Sequence, residues 1–264
     1  MLTKSELMTP PASPTLSARQ RATIVSLDRM ILAGSRHWLF IVNILFGAYA
    51  LTPWLAPVLM HTGHTRAAGV IYFIYSTQCH QLPERSFFLF GQRTTYSLAD
   101  IQAAWTNTNN PAILRQFIGN PEMGWKVAWS DRMVAMYTAL FGAGLIFSLA
   151  PHRMRAKPLS LFGFAGLTLP MVVDGATHML SDAAGIGRGF RDSNDWLAVL
   201  TGHAFAGGFY AGDTLGSFNS WMRLITGILF GIACVWLAYP YLEQFANETR
   251  DRLADKLQRV GVVH

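Results

Sequence analysis

Charged residues are scarce in this chain. They make up 14% of its 264 residues, where a soluble domain carries roughly 25%. That shortage excludes an intrinsically disordered protein, which needs polarity and charge to stay solvated. Cysteine is scarcer still. The two present are Cys79, inside a polar motif, and Cys234, inside an apolar run, so a disulfide scaffold is excluded. No Lys/Arg-rich block or nucleic-acid motif accompanies the net charge of +6. The basic residues flank apolar segments instead, and nucleic acid is not an expected partner. Residues 1–17 have no apolar stretch and no small-residue cleavage site, so no cleavable signal peptide is expected in them.

What is there is apolar: 51% of the residues, gathered into long runs. His37–Thr65, Met133–Pro151, Pro158–Val173 and Leu224–Leu242 contain no Asp, Glu, Lys or Arg. Stretches of about 20 such residues match the ~30 Å hydrocarbon core of a bilayer. The expected fold is an all-α, polytopic membrane helix bundle of four or five spans, one of them a candidate for a broken or re-entrant element. The lipid bilayer is the expected surrounding.

The chain divides into three parts on this reading. Residues 1–36 form a polar, proline-bearing lead-in and an amphipathic surface helix over Ala18–Ser35. Residues 37–243 hold the bundle, with extramembrane inserts at 92–132 and 181–222, and residues 244–264 form a polar C-terminal helix. The first span, Trp38–Met60, contains Pro53 and Pro57, expected to kink it or end it early. Ala67–Gln78 is only 12 residues long, too short to cross, and is the natural re-entrant candidate. The insert after it is expected to carry short helices at Leu98–Trp105 and Pro111–Ile118. Trp196–Gly212 is uncharged but holds four glycines and His203, which fits a surface or re-entrant helix better than a span. Asn194-x-Trp196 leading to Thr201-Gly202 is echoed by Asn219-x-Trp221 leading to Thr226-Gly227. Both read as helix entries, with Asn capping and Trp at the interface.

Basic residues set orientation. Lys4, Arg19, Arg21, Arg29 and Arg36 precede the first span, and Arg153, Arg155 and Lys157 follow the Met133–Ala150 span. The positive-inside rule puts both stretches, and the C-terminus, on the cytoplasmic side of the cell membrane, with Gln92–Arg132 outside.

Ionisable side chains at membrane depth are costly and face a bundle interior or wet cavity. The candidates are His80, Glu84, Arg85, Asp131, Arg132, Asp174 and His178. Asp174 and His178 stand four apart and share one helix face. That spacing fits a carboxylate orienting an imidazole, two ligands of one metal, or an intrahelical bond hiding a necessary polar pair. Three candidate ligands, His80, Asp174 and His178, define a possible divalent-metal site, zinc being the natural choice, although the three-ligand motif of zinc enzymes is missing. Asp174 and His178 are also candidate acid and base, while Arg85 and Arg132 are candidate holders of an anionic head group.

The run Cys79-His80-Gln81-x-Pro83-Glu84-Arg85-Ser86-Phe87-Phe88 resembles the signature of a bacterial and archaeal family of small membrane proteins of unknown function. The likeness extends over roughly residues 65–235, through Arg132 and Tyr137, Asp174-Gly175, and Asn219-x-x-x-Arg223-x-x-Thr226-Gly227. Where many relatives carry Cys-x-Arg-Cys, this chain reads Ser130-Asp131-Arg132-Met133, so a three-cysteine zinc or redox site is not intact here. The resemblance implies architecture and candidate residues but no reaction. Three functions fit: a membrane-embedded, metal-assisted enzyme acting on a lipid-like substrate, a small-solute or ion carrier or channel, and a structural or assembly subunit with membrane-protein partners. In each, the Cys79–Ser86 motif and the Asp174/His178 face are expected to meet.

Overall fold

A computed structural model describes residues 17–151, 155 and 157–261. Residues 1–16 of the expected lead-in and most of the basic loop between His152 and Lys157 lie outside them. The described chain separates into two compact units. In the smaller, α1 (Ala18–Arg36) opens with a capping box in which Ser17 and Gln20 satisfy each other's backbone. It packs with the polar end of α11 (Phe218–Arg259), where Lys256 meets Asp28 at 2.6 Å and Leu32 and Leu257 are buried.

The larger unit, Leu39–Leu242, is built on α2 (Trp38–His61), α3 (Thr65–Ser76), α6 (Asp131–Leu149), α7 (Leu161–Asp182) and the apolar part of α11. Among the described residues three helices, α2, α6 and α11, are long and apolar enough to cross a membrane. The first of these carries on past Pro53 and Pro57 to His61, so the prolines do not end it. By contrast, α3 has 12 residues, about 18 Å at 1.5 Å per residue, and falls well short of a bilayer core.

These helices are patterned inside out. On α7, Leu169, Val172, Val173, Met179 and Leu180 are exposed while Thr168, Asp174, His178 and Ser181 are buried. A helix in water hides its apolar stripe; α7 hides its polar one. Close approach uses small residues. A Cβ on Gly231 of α11 would stand 2.5 Å from the Met136 carbonyl oxygen of α6, and one on Gly144 would meet Asn43 Oδ1 of α2 at 2.3 Å.

The expectation of an all-α fold needs correction. A three-stranded antiparallel sheet sits between α3 and α6, in the order β1 (Ser86–Leu89), β3 (Gly124–Ser130), β2 (Gly119–Asn120). The physical reason is legible in β3: Trp125, Val127 and Trp129 are β-formers, and this strand is buried on both faces, so it lacks the alternation that marks a strand in sequence. One face packs on Tyr72 and Tyr75 of α3 through Val127 and Trp129. Beyond β1, Phe88 joins Tyr96, Ile101, Leu114 and Phe117, which bring in the short helices α4 (Leu98–Ala104) and α5 (Pro111–Leu114). The sheet fixes the site because β3 runs directly into α6, placing Asp131 and Arg132 at the first turn of a span-length helix. The polar stretch after α3 is tied to the same strand: Gln81, at a left-handed φ of 52°, donates Nε2 to the Tyr72 and Ala128 carbonyls at 3.0 and 2.9 Å.

The α6–α11 contact generates a first test. Gly231→Ala forces backbone apart and is expected to cost about 1–3 kcal/mol, whereas Gly142→Ala, with nothing within 4 Å of its Cβ position, is expected to leave thermal unfolding in detergent unchanged. Equal melting temperatures for the two variants would contradict the packing.

Candidate functional site

Arg85 closes a short 3-10 turn (Pro83–Arg85) that leads into β1. Its guanidinium reaches across to Asp182 at the end of α7, with Nη1 and Nη2 each donating to one carboxylate oxygen at 2.7 Å, and its Nε donates to Asp213 at 3.0 Å. Such a two-pronged pairing is the strongest geometry available to an arginine and a carboxylate. Arg223, one turn into α11, joins the same cluster. Its Nε lies 2.8 and 2.9 Å from the two oxygens of Asp131, its Nη1 is 2.5 Å from Asp213 Oδ1, and its Nη2 donates to the Asp213 carbonyl. Burial alone would push the Asp213 carboxyl up, but Arg223 and Arg85 outweigh it and hold that carboxyl well below the usual carboxylate range.

A second cluster forms around Asp174. Arg132 Nη2 donates to Oδ2 and Arg191 Nη2 to Oδ1, each at 2.7 Å. Gly175, the next residue, leaves room for this: a Cβ there would stand 3.1 Å from Arg132 Nη1. Arg191 belongs to α8 (Phe190–Ser193) in the second insert. Its place is set by Asn219, which accepts from its Nε at 3.1 Å, and by the two asparagines, Asn194 and Asn219, whose side-chain amides both donate to its carbonyl at 2.7 Å. Arg191 Nη2 also lies 3.2 Å from His178 Nε2. A guanidinium only donates, so Nε2 accepts, and in the neutral ring the proton resides on Nδ1. That Nδ1 is buried without a partner, as is Arg132 Nε.

The expected meeting of the two motifs therefore occurs in part. Arg85, Arg132, Asp174 and His178 are brought together, with Asp174 and His178 each 4% exposed and 3.8 Å apart. His80 is not. It is exposed at the end of the stretch after α3, and the proposed His80–Asp174–His178 metal site is corrected on that ground. Both Asp174 oxygens are taken by arginines, and among the described residues no three His, Cys, Asp or Glu side chains are grouped to hold a metal. Cys79 Sγ lies 3.5 Å from Ser130 Oγ and accepts from the Gln81 and Ser130 amides at 3.4 Å, a structural tie between the motif and the end of β3.

Sequence reasoning missed Arg191, Asp182 and Asp213, and read Asn194 and Asn219 as helix caps. Asn194 does stand at the N-cap of the helix Asp195–Leu200, but its side chain makes no cap bond; the two side chains form a bonded pair, 3.2 Å apart, that clamps Arg191. The repeated Asn-x-Trp was the signal, and its meaning lay in the pairing of its two copies.

Glu84, adjacent to Arg85, stands apart from this order. It is 2% exposed and neither carboxylate oxygen has a hydrogen-bond partner. Burial pushes its carboxyl up to about 7. Lys126 of β3, fully buried with Nζ donating to the Gln81 and Arg115 carbonyls at 2.7 Å, is pushed down to about 7 by the same cause.

A bundle with inside-out helices and compensated internal charge defines a membrane protein, and the comparisons agree. A family model described as "Predicted membrane protein (DUF2085)" matches residues 122–212, which takes in β3, α6, α7 and the second insert as far as Gly212. An uncharacterized protein of Methanocaldococcus jannaschii is 25% identical over 179 residues, covering 66% of this chain and 87% of that protein. No solved structure matches.

Two variants test the site. Asp174→Asn strands Arg132 and Arg191 on a neutral amide and is expected to lower unfolding stability by roughly 3–5 kcal/mol, against no change for the exposed Asp195→Asn. Glu84→Gln tests the unpaired carboxyl. Its folded value lies above the unfolded one, so the native state loses stability as pH rises from about 4.5 to about 7 and the deficit stays constant above that. The variant is expected to unfold at higher temperature than the parent at pH 8, by on the order of 3 kcal/mol, and to match it at pH 4.5. A pH-independent difference would mean that Glu84 is not the group titrating.

Proposed function

We propose that this protein crosses the bilayer four times, through α2, α6, α7 and α11, and accepts an anionic, lipid-like substrate at the Arg132–Arg191 end of its internal network. The fourth crossing is supported by α7, whose 22 residues extend about 33 Å and whose polar face turns inward. With α3 as a half-membrane element, four crossings return both termini to the same side, which the basic residues make cytoplasmic.

One observation carries the substrate reading. Arg132 and Arg191 share the single carboxylate of Asp174, leaving one positive charge over, and two donors beside it, Arg132 Nε and His178 Nδ1, are buried and unpaired. Surplus positive charge with unused donors is what a phosphate or carboxylate head group needs. In the enzymatic form of this reading His178 donates a hydrogen bond from Nδ1–H to an oxygen of the bound anion, keeping its proton, while the two guanidiniums offset the anion's charge. Glu84 favours a second form, a carrier that moves the anion together with a proton, because a buried carboxyl near 7 changes charge in the physiological range.

Native mass spectrometry of detergent-purified protein with phosphatidylglycerol and phosphatidylcholine tests both forms. Selective retention of the anionic lipid is expected, weakened about tenfold or more in Arg132→Gln and unchanged in Arg66→Gln, whose side chain is exposed on α3. Equal retention of both lipids, or no effect of Arg132→Gln, would contradict the site. Conversion of the lipid then marks the enzyme, and pH-driven flux in proteoliposomes lost in Glu84→Gln marks the carrier.

A further inference from the structure

Between the two asparagines of the clamp, the chain makes a compact excursion: α9 (Asp195–Leu200), a tight turn through Gly202 and His203 at left-handed φ of 60° and 57°, and α10 (Gly207–Tyr210). Its base is pinned, Gly212 N to the Asp192 carbonyl at 2.8 Å and Asn194 Nδ2 to the Tyr210 carbonyl at 2.7 Å. No charged residue occurs from Trp196 to Gly212. Apart from Asp195 at its start and His203 at the turn, the large side chains it turns outward are apolar: Val199 is 73% exposed and Leu200 75%, with Trp196 and Phe205 about half exposed. In water such a patch is a liability.

We propose that this excursion is an interfacial membrane element, seated in one leaflet with Trp196, Val199, Leu200 and Phe205 in lipid. Three further observations point to lipid as the partner. The amides across the turn are satisfied internally: Gly202 N on the Val199 carbonyl, His203 N on Ala198, Ala204 N on Thr201, and Phe205 N on the Tyr210 hydroxyl, which also meets Thr201 Oγ1 at 2.6 Å. Loops in water leave such groups to solvent, whereas hydrocarbon penalises every one left open. The root of the excursion is fixed at depth, because Arg191 is bonded to Asp174, eight residues or about 12 Å before the end of α7 at Asp182. Its rings also pack on the start of α11, a helix long and apolar enough to cross a membrane, with Trp196 and Phe209 edge-on to Phe218 at 6.0 and 6.1 Å between ring centroids. The six residues of α9 reach about 9 Å, less than half of a ~30 Å core, so the element enters one leaflet and does not cross. This inference is independent of which ligand the charged network binds.

The test places an environment-sensitive fluorescent amino acid at Val199 in protein reconstituted into nanodiscs of phosphatidylcholine and phosphatidylglycerol. Val172 on α7 serves as the lipid reference and Glu122, exposed in the β2–β3 turn, as the water reference. The expected result is quenching by lipids spin-labelled near the head group at least twofold stronger than by lipids labelled at the chain end, with aqueous iodide as weak as at Val172. Iodide quenching equal to that at Glu122 would place the excursion in water and overturn the proposal. Protection from both reagents would overturn it too, marking a protein-covered face such as a second copy of this chain. Carbene labelling of the unmodified protein by a lipid-partitioning diazirine gives an independent measurement should the variant fail to fold, with label on the peptide spanning 196–205 expected and its absence contradicting insertion.

Discussion

Eight charged side chains from six separate stretches of chain meet where little water reaches: Arg85, Arg132, Arg191 and Arg223 with Asp131, Asp174, Asp182 and Asp213. Neither protein interior nor lipid tolerates such groups singly, so each element that contributes a charge must be held where its counter-charge is. Arg223 illustrates the constraint. It is 3% exposed and reaches Asp131 at the start of α6 and Asp213 just before its own helix. The junction of β3 with α6, the bulged turn that presents Arg85 and the asparagine clamp on Arg191 are all means of delivering a charge to an address. Replacing the whole set by apolar residues need not destabilise the fold, whereas removing one member strands another. The network therefore acts on arrangement more than on stability.

Much of this was legible because the membrane enforces it. Uncharged runs marked α2, α6 and α11, and the few ionisable residues left near them included five that the structure brings together, Arg85, Asp131, Arg132, Asp174 and His178. Asp174 and His178 were recognisable by spacing alone, since i and i+4 share a helix face whatever surrounds the helix. The sheet was not legible. Lys126 and Trp129, on opposite faces of β3, are equally completely buried, and a strand buried on both faces loses its period of two. The partners in the inserts were hidden for a different reason. Asp182, Arg191 and Asp213 lie in polar stretches where a charge is expected to be solvated, and only three-dimensional closure makes them internal. His80 failed in the opposite direction: adjacent to Cys79 in a conspicuous motif, it is turned outward while the motif's work falls to Arg85, Cys79 and Gln81.

The two clusters differ in sign. Around Asp174 two guanidiniums share one carboxylate; around Arg223 and Arg85 two guanidiniums face three carboxylates, Asp131, Asp182 and Asp213. These eight charges cancel, so ionisation of Glu84 adds one negative charge to a balanced network, with the fully buried Lys126 as a further cation acting on it. Burial keeps the proton of that carboxyl on to higher pH, against the opposing effect of the adjacent Arg85, and Asp213 adds to burial. A carboxyl whose only role was to lock helices would have been built into a pair, as its four neighbouring aspartates are.

The unpaired groups also separate a helix lock from a binding site. A lock minimises cost by satisfying every polar atom, and its failures, where present, have no reason to sort by type. Here most match the charge beside them: Arg132 Nε and His178 Nδ1 are donors in the positive cluster and the Glu84 oxygens are acceptors near the negative one, whereas Asn194 Oδ1, an orphaned acceptor beside Arg191, does not follow that order. Donors without acceptors near surplus positive charge are complementary to an incoming anion, and acceptors near surplus negative charge are complementary to a proton. An arrangement that leaves each cluster short of the species its own field attracts is a poor lock and a serviceable pair of sites, which is the physical ground for reading this network as functional.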